Sequence, residues 1–120
     1  MLERMKDKNK RQVGSFYEKK AEEYLLLKGY DILERNFHNR TGEIDIIAKD
    51  KEYICFIEVK YRTSKDYGNP FEAVDYRKQI QIRKVAQYYF MKKQLHDATP
   101  CRFDVIGFEG EQMVHMKNAF

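Results

Sequence analysis

The chain has 120 residues, 42% hydrophobic and 35% charged, with a formal net charge of +4. That length suits one domain rather than two, and the composition is that of a globular protein with a proper apolar core. No apolar run approaches the ~20 residues a membrane helix needs, and the charged N-terminus lacks the apolar segment of a secretory signal. A cytoplasmic protein with no membrane partner is therefore expected. The net charge is too mild to imply a nucleic-acid partner by itself, so the placement of the charges has to decide.

Residues 1–13 begin "MLERMKDKNKRQ", mixing both signs of charge with little apolar content, and read as a flexible, basic-leaning arm. A helix is expected from Gly14, where Tyr17, Ala21, Tyr24 and Leu25 form one apolar stripe. Gly29 suits the left-handed position that ends a helix. "YDILERNFH" reads as a first strand, and "GEIDIIAKDKEYICFIEVKYR" as two more joined by a turn near Lys49 to Lys51. The loop "TSKDYGNPFEAVD" is marked by Gly68, Asn69 and Pro70. A long helix follows over roughly Glu72 to Gln94, with Ile82, Val85, Ala86, Tyr89 and Phe90 on its core face. "CRFDVIGFE" and "QMVHM" read as final strands about a turn at Glu109 to Glu111. Residues 14–120 thus form a single α/β domain of order α-β-β-β-α-β-β. Cys55 and Cys101 fall in apolar runs and are expected to be reduced core residues.

The second hairpin strand poses a problem of charge. Ile54 and Phe56 share one face and Cys55, Ile57 and Val59 the other, the pattern of a central, covered strand. Glu58 and Lys60 nevertheless interrupt it on a single face, and Asp45 interrupts the strand before it. Removing such charges from water costs several kcal/mol each. If the register sets Asp45 near Glu58, two carboxylates and an ammonium converge. That patch suits Mg²⁺ or Mn²⁺, which accept one or two carboxylates and keep several waters, with a lysine to orient water or to stabilise charge on a phosphate. An exposed cross-strand ion pair is the other reading of these residues.

"IDII" with Asp45 and "IEVK" with Glu58 and Lys60 resemble the PD-(D/E)xK nuclease superfamily, with Ile44 standing where the motif has its proline. "GSFYEKKAEEYLLLKGYDILERNFHNRTGEIDIIAKD", "FIEVKYR", "YGNPFEAV" and "CRFDVIGFEG" extend the likeness, from Gly14 to Phe120, to the bacterial YraN family. The resemblance implies a restriction-endonuclease-like α/β core, a mixed central sheet flanked by helices similar to that of Holliday junction resolvases. It also implies a metal site at Asp45 and Glu58 assisted by Glu18 of the first helix, with Lys60 catalytic. Metal-dependent hydrolysis of DNA phosphodiester bonds follows as the expected activity. The DNA would be branched by analogy with resolvases, and a homodimer would supply two sites. A nucleic-acid-binding module that keeps the fold without hydrolysis is the alternative.

The second helix carries Arg77, Lys78, Arg83, Lys84, Lys92 and Lys93, a face able to grip phosphates or simply to be solvated. In such nucleases a Lys or Gln of this helix points into the site, which nominates Lys78 or Gln79. Arg62, two residues beyond Lys60, and Arg40, in the turn before Gly42, are further candidates for phosphate contact. Tyr61 and Tyr67 could stack on bases. His38, His96 and His115 show no metal-ligand spacing, and Arg102 with Asp104 reads as a structural ion pair.

Overall fold

The computed structural model describes residues 2–62 and 74–120, with side chains from Lys10 onward. Seven elements follow in chain order: α1 (Leu2–Leu27), β1 (Asp31–His38), β2 (Glu43–Asp50), β3 (Tyr53–Arg62), α2 (Tyr76–Lys92), β4 (Cys101–Glu109) and β5 (Gln112–Met116). They form one five-stranded mixed sheet in the order β1-β2-β3-β4-β5. Every neighbouring pair is antiparallel except β3 and β4, which run parallel. Parallel neighbours need a crossover, and α2 lies within it. Among the described residues no helix is long and apolar enough to cross a membrane.

The helix boundaries follow local chemistry. The first helix starts at Leu2 rather than Gly14, so the stretch expected as an arm is helical. Its Leu, Glu, Arg, Met, Lys and Gln are good helix formers, and neither Gly nor Pro interrupts them before Gly14. Gly29, at φ 89°, ends α1 as expected: its N–H bonds to the Leu26 carbonyl and that of Tyr30 to the Leu25 carbonyl, satisfying carbonyls the helix leaves open. α2 begins at Tyr76 because Asp75 is extended and its carboxylate accepts the Lys78 N–H, an N-cap. The start expected at Glu72, and the loop with Tyr67, Gly68, Asn69 and Pro70, lie outside the described residues. α2 stops at Lys92, two residues short of the expected Gln94, because Gln94 is left-handed at φ 53° and Leu95 N–H reaches back to the Phe90 carbonyl.

Alternation along the central strands divides the core in two. Ile54 and Phe56 of β3 join Ile47, Phe103, Val105 and the buried face of α2, Ile82, Val85, Ala86 and Tyr89. Cys55, Ile57 and Val59 join Ile46, Ala48, Ile106 and Phe108 beneath Ala21 and Leu25 of α1. Each fully buried Ile, Leu, Val or Phe contributes roughly 1.5–3 kcal/mol relative to exposure, so the two-faced β3 is the spine of the fold. Cys55 is buried and reduced as expected. Cys101 is also free but exposed, because it opens β4, outside the sheet's covered middle.

A polar network is embedded on the α1 side. Asp104, fully buried, accepts from Arg102 Nε at 3.1 Å, from the Asn118 N–H at 2.9 Å and from His115 Nε2 at 2.8 Å. A carboxylate can only accept, so His115 donates from Nε2, and its Nδ1 pairs with the Tyr24 hydroxyl at 3.0 Å. Arg102 also reaches Asp50 at 2.9 Å and the Tyr30 hydroxyl. The Arg102–Asp104 pair is thus structural, as its residues suggest.

Candidate active site

Asp45 enters the site through a break in strand pairing. The β2–β3 ladder runs from Asp50↔Tyr53 to Ile46↔Ile57 and goes no further. One step beyond, the Asp45 side chain replaces the missing backbone partner, with Oδ2 accepting the Val59 N–H at 2.8 Å. The carboxylate is thereby wedged beside β3 at the level of Glu58. Burial is the largest influence on it, followed by the charge of Glu58. The Val59 N–H opposes them, Glu18 and Glu43 add smaller repulsions, and the carboxyl is pushed up to about 8.

Glu58 follows on the α2-facing side of β3, its side chain 15% exposed. Burial raises its carboxyl above the ordinary value. Lys78 and Lys60 counter that in part, while Glu43 and Glu18 reinforce it. The choice between Lys78 and Gln79 is resolved by geometry. Lys78 Nζ lies 3.8 Å from Glu58 Oε1, whereas Gln79 turns back to donate to the Val74 carbonyl at 2.8 Å. Lys78 lies beside Glu58 and Gln79 braces the start of α2.

Glu18 approaches Asp45 from α1. It lines a cleft of about 220 Å³ with Asp45, Ser15, Lys19, Glu22, Arg35, Asn36 and Ile46. Arg40 is exposed in the β1–β2 loop. Asn39 Oδ1 holds that loop by accepting the Thr41 and Gly42 N–H groups, and α2 clasps it through Gln81 Nε2 on the Thr41 carbonyl at 2.6 Å. A Cβ on Gly42 would come within 2.6 Å of the Gln81 side chain, which is why glycine suits this position. Arg62 is half-buried opposite Glu109 at the end of β3. Arg77 and Lys84 are exposed on α2.

The structure therefore gathers Glu18, Asp45, Glu58, Lys60 and Lys78, and adds two residues that sequence reasoning missed. Glu43 acts on both Asp45 and Glu58; its position two residues before Asp45 was the available signal. Asn36 holds Glu18, and nothing in its local sequence announces that. Among the described residues, no three His, Cys, Asp or Glu side chains converge tightly enough to hold a metal ion by themselves. The donor set is instead a pair of mostly buried carboxyls with further acids nearby. That chemistry fits Mg²⁺ or Mn²⁺, which complete their shell with water. A larger groove of about 620 Å³, lined by Arg83, Phe90, Met91, Leu95, Asp97 and Phe103 among others, lies elsewhere and offers no comparable cluster.

The model of the uncharacterised protein family UPF0102 matches residues 17–108, a span that contains every one of the gathered side chains. A UPF0102 protein of Lachnoclostridium phytofermentans is 46% identical over 112 residues, 93% of this chain and 95% of the relative. One from Clostridium botulinum strain Loch Maree is 55% identical over 96 residues, 80% of this chain and 78% of the relative. The family is the one that the motifs around Asp45 and Glu58 resemble under the name YraN. The chain belongs to UPF0102.

Proposed function

We propose that the protein is a metal-dependent endonuclease of the restriction-endonuclease-like fold, hydrolysing DNA phosphodiester bonds. The observation that carries this reading is the treatment of Asp45 and Glu58. Two mostly buried carboxyls are held together against burial and mutual repulsion, and the folded chain gives them less compensation than they need. The order α-β-β-β-α-β, with the Asp on β2 and the Glu-x-Lys on the adjacent β3, supports the fold assignment.

Asp45 and Glu58 would hold Mg²⁺ or Mn²⁺, with Glu18 assisting. When bound, the ion would supply Lewis-acid stabilisation of charge on the phosphate and a more acidic water. Because Asp45 keeps its proton up to about pH 8, cation binding is coupled to proton release from that carboxyl. Lys60 orients the attacking water or stabilises the phosphate. Lys78, paired with Glu58 in the free protein, becomes available to a phosphate oxygen once Glu58 has another cation. Arg40, Arg62, Arg77 and Lys84 provide phosphate contacts that fix the register of the strand without reading its bases. By analogy with resolvases the substrate is branched DNA and the active species a homodimer.

The deciding experiment is cleavage of end-labelled duplex, single-stranded, flapped and four-way-junction DNA by the wild type and Glu58→Ala, each with Mn²⁺, Mg²⁺ or chelator. Metal-dependent cutting that disappears in Glu58→Ala is the expected result. Binding without cutting on every substrate, unchanged by metal or mutation, would replace the nuclease with a non-catalytic nucleic-acid-binding module.

A further inference from the structure

Asn36 occupies an unusual place in β1. Its φ of 49° lies in the left-handed region, which Asn tolerates better than most residues. The β1–β2 pairing steps from Arg35↔Ile46 to Phe37↔Ile44, so Asn36 and Asp45 lie between the same two pairs. The backbone irregularity of Asn36 therefore stands beside the strand in which Asp45 turns out of its ladder.

The side chain of Asn36 has one visible task. Its Nδ2 donates to both oxygens of Glu18, at 3.3 and 3.2 Å. A carboxylate accepts only, so the amide presents its nitrogen and not its oxygen. Glu18 needs such a tie because it is a long side chain on a half-exposed helix face, with the charge of Glu58 nearby. Untethered, it would relax into solvent. The neighbouring Arg35–Glu22 ion pair fixes the adjoining turn of α1 to the same strand, so two successive β1 residues hold two Glu residues one helical turn apart.

Building on the metal-site reading above, we propose that Asn36 is a positioning residue: it holds the Glu18 carboxylate at the cleft beside Asp45, within reach of a divalent cation that Asp45 and Glu58 would hold. Partners that orient metal ligands typically change metal affinity by 10–100-fold when removed. Asn36 belongs to that class. It acts through Glu18 and touches neither substrate nor the reacting atoms.

The test uses the full chain and Mn²⁺ alone, titrated calorimetrically into the wild type, Asn36→Gly, Glu18→Gln and the double variant. Glycine keeps the left-handed backbone and removes only the amide. Asn36→Gly should weaken Mn²⁺ binding about tenfold or more and should add nothing to Glu18→Gln. A metal-free readout runs alongside: the Asn36 side-chain NH₂ resonances should shift in Glu18→Gln. Wild-type affinity in Asn36→Gly, or effects that simply add, would overturn the role of Asn36 alone. A wild type that binds no Mn²⁺ while the NH₂ signal still responds to Glu18→Gln would overturn the metal reading and this proposal with it. An unresponsive NH₂ signal would remove the tie itself.

Discussion

Asp104 and Asp45 occupy the same sheet, close together: Asp104 faces Ile57 on β3, and Ile57 faces Ile46, the residue after Asp45. Burial acts to raise both carboxyls. Around Asp104 it is outweighed by hydrogen bonds from His115 and the Asn118 N–H and by the charge of Arg102, which hold the carboxyl below its ordinary value. Around Asp45 burial is joined by Glu58, Glu18 and Glu43 and outweighs the opposing hydrogen bond from the Val59 N–H, so the carboxyl rises. The chain can compensate a buried aspartate, since it does so fully once. Leaving the second under-compensated marks the site where an outside cation is expected, because local violations of folding consistency concentrate at functional sites.

The largest expected effect breaks the compensated end. Asp104→Ala leaves Arg102 and His115 buried without their shared partner, a loss of ~3–5 kcal/mol for a broken buried pair. That is a large part of a typical stability of roughly 5–15 kcal/mol, and urea denaturation would show it. The linkage has a definite sign. A depressed carboxyl contributes stability above its ordinary value near 3.8 and loses it as the pH falls through the folded value. The gap between wild type and Asp104→Asn should therefore narrow on acidification below about pH 4. A gap unchanged to low pH would mean that packing, and not charge, sets the role of Asp104.

Next comes the supply of the missing cation at the other end. At a hundred times its dissociation constant, Mg²⁺ would stabilise the wild type by about 2.7 kcal/mol. Thermal melts should show the gain in the wild type and in Asp104→Asn, and little of it in Asp45→Asn or Glu58→Gln. Equal stabilisation of all four would place the ion somewhere other than between β2 and β3.

Without metal, Asp45→Asn should stabilise the protein. Asparagine can still accept the Val59 N–H and carries no charge to bury. A carboxyl raised to about 8 leaves the wild type at full stability below its unfolded value near 4 and erodes it as the pH climbs to 8. Even a third of that shift is worth about 2 kcal/mol at 1.36 kcal/mol per unit. Melting curves of the two proteins should coincide near pH 4 and separate steadily up to pH 8, with the variant the more stable. A destabilised variant would show that the charged carboxylate is part of the fold.

The comparison also explains which features were legible in the sequence. Alternation on β3 identified a strand covered on both faces, and the hairpin turn fixed a register that brings Asp45 to Glu58, so the centre of the site was readable from period-two patterning. Arg102 and Asp104 interrupt their strand in the same visible way. The rest of the Asp104 network was hidden because Tyr24 and His115 are 91 residues apart and meet only once α1 has packed on the sheet. Lys78 and Gln79 differ by one helical position, and the rotamer that decides between them depends on the Val74 carbonyl. Asn36 was hidden by its backbone, since a strand pattern does not reveal a single left-handed residue. The early start of α1 is hidden because mixed charges mask the helix propensity of the residues before Gly14.

The smallest effect tests whether burial or neighbouring charge dominates at Asp45. Glu43 is exposed, and it raises both Asp45 and Glu58 from a distance. Removing its charge in Glu43→Gln should stabilise the metal-free protein at pH 8 by only ~0.2–1 kcal/mol, the scale of exposed pairwise interactions. Salt separates the two causes. The Debye length shrinks from ~10 Å at 0.1 M to ~3 Å at 1 M, so the gain from Glu43→Gln should fade in 1 M NaCl. Burial is the first cause of the Asp45 shift, and ions do not screen it, so most of the gain from Asp45→Asn should survive the same salt. If both gains vanish together, repulsion among Glu18, Glu43, Asp45 and Glu58 is what strains the site. A gain from Asp45→Asn that persists alone assigns the strain to the wedging of Asp45 between β2 and β3, which the break in their ladder imposes.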